Sequence, residues 1–389
     1  MTMRKIKLCF ITSYFPNIKS GVADYTYHLS NALLNQEIEI FVLTSDDERI
    51  IKNNDLNILS VIKKWNIFAI PKLVKTINQI KPDILSFQYV PYSYNDYGMP
   101  VWIVPFLIVL KSFGYKIIIT FHEVAIRLDY GKPKYLIIGI VQRLIAYALV
   151  VISNKIVTSN KQFSGILKFS KNKICLVPVG SNILPLEVSD EEKRYIKSEL
   201  APNGETLIST FGSHTGMNHL LLDVAKKLTE NGYKIKLLFI GGMPNDFINA
   251  QTKRAKELGV NIFFTDFMTS QDVFKYLSVS DLFVILEYVN EKGWGGACIK
   301  SASLAAAYAA SLPIISNRGD LTDDFFQDGK NILFVSSLKI DDICQAVSSL
   351  VNDLNLKTKL VHNTKETYKR YLDWNIIAGR YKDLFVMPK

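Results

Sequence analysis

Short apolar runs and amphipathic stretches alternate along the chain. KIKLCFIT (5–12) has the composition of a strand, residues 22–35 space their apolar positions as a helix does, and IEIFVLTS (38–45) is a second strand. Residues 69–80 follow as a helix, then the strand DILSFQYV (83–90), an apolar helix from 101 and the strand YKIIITFHE (115–123). After a further helix come KIVTSN (155–160) and KICLVPVG (173–180). A polar stretch, SDEEKRYIKSELAPNGE (189–205), interrupts the series. The alternation then restarts with TLISTFGS (206–213), KIKLLFIGG (234–242), NIFFTDF (261–267), DLFVILEY (281–288), LPIISN (312–317) and NILFV (331–335) as strands. An amphipathic helix over 367–385 closes it. Strands separated by helices of 10–15 residues predict parallel sheets, hence an α/β fold. Two such series predict two domains, 1–185 and 186–366, followed by a C-terminal segment, 367–389. A chain of 389 residues also exceeds what one hydrophobic core organises.

Composition narrows the class. Apolar residues are 48% and charged residues 21%, which excludes disordered, collagen-like and coiled-coil chains. Cys9, Cys175, Cys298 and Cys344 form no CxxC pair, so neither a disulfide scaffold nor a zinc finger is expected and a reducing cytosol fits. The basic, then apolar, N-terminus reads as a first strand rather than a signal peptide, because its apolar run soon reaches a turn.

The charge is one-sided. Residues 1–185 hold 22 Lys and Arg against 11 Asp and Glu, whereas residues 186–389 hold 24 against 25. Within the first half, residues 101–185 hold 11 basic and 2 acidic side chains. Such a field attracts anions: nucleic acid, an anionic membrane surface or a phosphorylated lipid. No nucleic-acid-binding module is recognisable, so nucleic acid is not an expected partner. The same region is apolar. YLIIGIVQRLIAYALVVI (135–152) nears membrane-spanning length, but Gln142 and Arg143 at its centre argue against a span. A helix buried in an α/β domain and a helix lying on a membrane surface both fit, and the two are compatible.

Candidate chemistry gathers at strand ends. Ser20–Gly21–Val22 opens a helix, where glycine admits close backbone approach and free N–H groups attract anions; an ordinary turn glycine is the alternative. His122, in FHE (121–123), is a hydrogen-bond donor or base, or a satisfied structural histidine. Tyr14, Gln88, Tyr92 and Tyr94 offer stacking and hydrogen bonds to a sugar or lipid head group, or else pack turns. In FGSHTGMN (211–218), Gly212 and Gly216 bracket Ser213, His214 and Thr215, an arrangement able to cradle a phosphate. The segment 287–320 is the richest. Gly293, Gly295 and Gly296 lie in a loop before a small-residue helix, with Arg318 beyond it. Lys300 enters that helix's first turn, where its charge opposes the helix dipole unless an anion is bound nearby. Asp323–Asp324 is expected to be a solvated helix start.

These segments, in this order, resemble glycosyltransferase family 4. The similarity runs from the first strand and its glycine loop through FHE, VPVGSNI (177–183), FGSHTG with LLLDVAKKL, and FIGG. It continues through SQDVFKYLSVSDLFVIL and SLAAAYAASLPIISNRGD to DWNIIAGRYKDLF (373–385). The resemblance implies the GT-B fold: two Rossmann-like domains facing across a cleft, with the last helix crossing back to the first domain. It implies retaining transfer of a hexose from a nucleoside diphosphate sugar to an acceptor hydroxyl, with no metal and no further cofactor. The second domain would hold the donor and the first the acceptor. Donor contacts would be Gly21, Gly212, Ser213, His214, Gly216, Glu287, Gly295, Gly296, Lys300 and Arg318. His122 would contact the transferred sugar, with His122 and Lys300 catalytic. Tyr14, Gln88, Tyr92 and Tyr94 would face the acceptor. The family's Glu-x7-Glu pair falls on Cys298 and Ala306, so both carboxylates are missing. Lys300 and Ser301 stand where a related motif has two basic residues. The expected setting is cytoplasmic, at the inner membrane face, in cell-surface glycan or polysaccharide synthesis on a glycan or lipid-linked acceptor. The alternatives are a sugar-nucleotide epimerase and a non-catalytic glycan-binding subunit on the same fold.

Overall fold

A computed structural model describes residues 4–16, 20–48, 55–128, 132–159, 161–212, 217 and 219–385. The chain divides into two compact units, Met1–Pro178 with Trp374–Lys389, and Val179–Asp373.

The first unit is built on a seven-stranded sheet. Its strands are β1 (Lys7–Ile11), β2 (Glu39–Ser45), β3 (Asn57–Ile62), β4 (Ile84–Tyr89), β5 (Lys116–Phe121), β6 (Lys155–Thr158) and β7 (Ile174–Leu176), in the order β3-β2-β1-β4-β5-β6-β7. Every pairing is parallel, and Leu8 of β1 lies between Ile40 and Ile84. Helices cover both faces of such a sheet, so its inner strands are buried on both sides. All six residues of β4 are buried. The edge strand β3 is mostly half-exposed and was not among the expected strands.

The second unit has a six-stranded parallel sheet of β8 (Thr206–Phe211), β9 (Ile235–Ile240), β10 (Asn261–Phe264), β11 (Leu282–Val284), β12 (Ile314–Asn317) and β13 (Leu333–Val335), ordered β10-β9-β8-β11-β12-β13. Successive residues feed opposite layers. Leu207, Phe283 and Ile314 pack with the helix Ala302–Ala309, while Ile208, Leu282 and Ile315 pack with Leu220–Glu230 and Ile340–Asn352.

Strand order reverses direction at β1/β4 in one sheet and at β8/β11 in the other. At such points the connections leave to opposite sides and open a crevice above the carboxyl ends of the strands. The expected closing helix is broken. Tyr368–Leu372 forms one π-helical turn, with Tyr368 and Leu372 buried in the second unit. Asp373 is extended, and Trp374–Asp383 then packs on the helix Gly21–Leu34 of the first unit.

Candidate active site

In the second unit, the switch point is framed by the turn after β8 and the long loop after β11. Gly212 has φ +114°, and a Cβ there would lie 2.9 Å from Ser303 Oγ, so the turn runs against the first residues of the helix Ala302–Ala309. Met217 returns to this point, its N–H donating to the Leu286 carbonyl at 3.1 Å. Ser213, His214, Thr215 and Gly216 lie outside the described residues.

The loop after β11 is held on itself. Val289 and Gly295 form an antiparallel bridge, and the Asn290 N–H donates to the Trp294 carbonyl at 3.0 Å. Gly295 (φ +137°) and Gly296 (φ +86°) are buried because backbone occupies the space a side chain would need. Two more bonds fasten the loop to the segment after β12, Asp320 N–H to the Gly293 carbonyl (2.8 Å) and Leu321 N–H to the Gly295 carbonyl (3.0 Å). Asn317 clamps Glu287 from both sides of its peptide. Its Oδ1 accepts the Glu287 N–H at 2.8 Å and its Nδ2 donates to the Glu287 carbonyl at 2.9 Å.

This framework delivers Lys300, half-buried, to the start of the helix Ala302–Ala309. Ser301 caps that helix, its Oγ accepting the Leu304 N–H at 3.3 Å, and the first turn contains no acidic residue. A helix N-terminus with an adjacent ammonium and no first-turn carboxylate is a place for an anion. Asp323 is close by but is otherwise engaged. It is 5% exposed, and its Oδ2 accepts the Ile299 N–H at 3.0 Å. This corrects the expectation of a solvated Asp323–Asp324 helix start; only Asp324 is exposed, and the segment is not helical. Burial pushes the Cys298 thiol up to about 11, so it is a neutral thiol at pH 7. Ala306 is fully buried in the apolar layer. Arg318 is exposed, its guanidinium 4.2 Å above the Phe334 ring, a cation–π contact. It lines a groove of about 670 Å³ with Val289, Asn317 and Ser336 at the carboxyl ends of β12 and β13.

In the first unit, the switch point carries Gly21 and His122. Gly21 opens the helix Gly21–Leu34, and nothing lies within 4 Å of the space a Cβ would take. Its neighbours therefore do not require a glycine. His122 is buried beyond β5. Its Nε2 lies 2.9 Å from Gln88 Oε1, and its ring meets Tyr25 edge-on at 4.8 Å. Gln88 Nε2 donates to Ser86 Oγ at 2.8 Å, and its Oε1 faces His122 Nε2. Ser86 and Thr120 both meet the Tyr381 hydroxyl, at 2.6 and 3.0 Å. Gln88 is thus a buried support for His122, and the closing helix completes the network beneath it. Trp374 of that helix also packs on Tyr25 and stacks on His28. Burial drives the His28 imidazole down to about 4, so it stays neutral.

The three tyrosines expected to face the acceptor divide. Tyr94, expected to face an acceptor, is 2% exposed, and its hydroxyl donates to the Gln88 carbonyl at 2.7 Å. Its ring stacks 5.0 Å from Phe87, so it packs the core. Tyr92 is 42% exposed and rests on Gly98, and Tyr14 is half-buried. Sequence reasoning missed Asn317 and Tyr381. An Asn–Arg–Gly turn after a strand hinted at the first; nothing local marked the second.

The network under His122 makes a measurable prediction. Tyr381→Phe keeps the ring but leaves Ser86 and Thr120 with one fewer partner in a buried site. A loss of about 1–3 kcal/mol is expected in urea unfolding. A stability equal to the native chain's would show that the hydroxyl contributes nothing there.

No curated protein matches the chain in sequence. Solved structures match it over nearly its whole length. A glycosyltransferase from Rickettsia africae ESF-5 has a TM-score of 0.74 at 14% identity, covering 98% of each chain. Anabaena HepE in complex with UDP has a TM-score of 0.72 at 9% identity, covering 97% of this chain and 98% of its own. Sucrose-phosphate synthase from Thermosynechococcus elongatus has a TM-score of 0.71 at 14% identity, covering 98% of each. At these identities the likeness is one of fold. The whole chain has the GT-B fold, and residues 195–367 match the family model of the glycosyl transferases group 1.

Proposed function

We propose that this chain is a retaining glycosyltransferase that moves a hexose from a nucleoside diphosphate sugar to an acceptor hydroxyl, in cell-surface glycan or polysaccharide synthesis in the cytoplasm. One observation carries the reading. The start of the helix Ala302–Ala309, with no acidic residue in its first turn and Lys300 just before its cap, meets the Gly212 turn through Ser303 at the β8/β11 switch point. Breaking a sugar–diphosphate bond leaves negative charge on the departing diphosphate, and fixed positive charge with N–H donors stabilises it. Lys300 and the helix N-terminus supply these. Arg318 is the second cation of the proposed donor site, and the Glu287 backbone, pinned by Asn317, shapes its edge. The first unit takes the acceptor, with Tyr92 and Tyr14 at its surface. Gly21 permits close approach of the substrate, and His122, held by Gln88, contacts the transferred sugar.

The UDP bound by HepE makes uridine the first base to test. A thermal-shift series with UDP, GDP and ADP should raise Tm for one of them. At a concentration of 100 Kd the gain is about 2.7 kcal/mol, or roughly 5–10 °C. No shift with any of the three would remove the reading. Sugar release dependent on an added acceptor supports transfer; conversion of the donor sugar without acceptor would make the chain an epimerase, and binding without turnover a glycan-binding subunit.

A further inference from the structure

The helix Pro133–Ile152 has two faces of similar greasiness and opposite surroundings. On the inner face, Ile138, Gln142, Ile145 and Leu149 are buried in the first unit. Gln142 Nε2 donates to the Gly98 carbonyl at 3.0 Å, and its Oε1 accepts the Ile126 N–H at 2.7 Å. Arg143 Nη1 donates to the carbonyls of Ile126 and Gly139, each at 2.9 Å. The polar pair at the helix centre thus fastens it to its own unit, which excludes a membrane-spanning placement.

The outer face is different. Ile137, Ile140, Leu144, Tyr147 and Val151 recur every three or four residues, one stripe along the helix, and are 45–65% exposed. Phe169 widens the stripe, its ring 4.8 Å from Tyr147. An apolar strip this long is seldom left to water without a partner. Basic groups stand at both its ends. Lys132 is the N-cap residue and Lys134 enters the first turn. At the other end, Lys173 Nζ donates to the carbonyls of Val150 (3.1 Å) and Ser153 (2.9 Å), and Lys111 Nζ to Asn154 Oδ1 (2.7 Å). Residues 130–186 contain eight Lys and Arg and no Asp or Glu.

We infer that this face docks on an anionic phospholipid bilayer, the helix lying flat with its apolar stripe among the acyl chains and its terminal lysines at the head groups. The charge pattern chooses the occupant. Pairing the face with a second copy would oppose lysine to lysine with no carboxylate between, whereas lipid phosphates neutralise both ends. The docked face is linked to the proposed acceptor loop, because Gln142 holds the Gly98 carbonyl and exposed Tyr92 rests on Gly98. The inference goes beyond the transfer reading and does not depend on it.

Flotation of the full chain with vesicles, without any sugar donor, tests it. The native chain should rise with vesicles of phosphatidylcholine and phosphatidylglycerol and remain below with phosphatidylcholine alone. Ile137→Glu/Leu144→Glu should lower partitioning at least tenfold, because both replace buried apolar contact with a charge facing the acyl chains. Lys132→Ala and Lys134→Ala should each lower it about fivefold. All these side chains face outward, so circular dichroism and Tm should match the native chain. Should the glutamate pair nevertheless unfold, the lysine variants decide. The inference fails if the native chain does not float, if it binds both vesicle types equally, or if sedimentation shows a dimer that Leu144→Glu dissolves.

Discussion

Lys300→Ala is expected to lower kcat/KM for the sugar donor by about 10²–10³-fold, the loss typical of removing one preorganised charge partner from a developing anion. The cause is local. With Lys300 gone, the helix N-terminus at Ser301 retains its N–H groups but not the ammonium beside them. Lys300→Arg keeps the charge and should recover most of the rate, though its planar fork differs from an ammonium in reach. Lys300 is half-buried rather than a core residue, so urea unfolding of the alanine variant should stay near native. A folded Lys300→Ala chain that turns over at the native rate would show that the leaving group is stabilised elsewhere. The donor site would then have to be sought in the groove beside Arg318.

Gly295→Ala is expected to cost about 3–5 kcal/mol and lower Tm by roughly 10 °C. Its φ of +137° suits glycine alone, and a Cβ there would lie 1.8 Å from the Tyr288 carbonyl oxygen, which is backbone and cannot rotate away. Relief would require opening the Val289–Gly295 bridge and the bond from Leu321 to the Gly295 carbonyl. Gly21→Ala should leave stability nearly unchanged. Its site is open and lies at a helix start, so a change within about 1 kcal/mol is expected. If Gly21→Ala nevertheless loses transfer activity, the missing side chain makes room for substrate. Differential scanning fluorimetry and a donor-consumption assay on the two variants separate scaffold from site. A Gly295→Ala chain as stable as native would show that this loop is not the rigid frame described.

These two glycines show how far sequence could reach. Both stood out as glycines in loops at strand ends, but no local pattern tells a glycine required by neighbouring backbone from one required by a ligand. The parallel sheets were legible because their inner strands are buried on both faces and read as apolar runs, as Leu8–Ile11 of β1 does. The edge strand β3 escaped although Ile58, Leu59, Val61 and Ile62 are apolar: it is mostly half-exposed, and Ser60 breaks its run. Tyr94 illustrates a different limit. A tyrosine in a polar, aromatic segment after a strand reads as a surface contact, yet its hydroxyl finds the carbonyl of Gln88 and its ring enters the core. The support of His122 by Tyr381 was illegible for a simpler reason: Tyr381 lies 295 positions from Ser86, and only the return of the chain brings them together. The apolar run 135–152 announced its composition, but which half of it is exposed depends on where Gln142 is anchored.

The return of Trp374–Asp383 to the first unit has a consequence for synthesis. A ribosome delivers residues 4–178 long before it delivers Trp374 and Tyr381, which pack beside Tyr25 and bond the Ser86 and Thr120 hydroxyls next to Gln88. Until then the nascent half holds Ser86 and Thr120 without the hydroxyl that joins them. Domains generally mature from the N-terminus during translation. Here the order inverts: the second unit can settle while the first still waits for Trp374–Asp383, and His122 gains its finished support only after the whole second unit has been made.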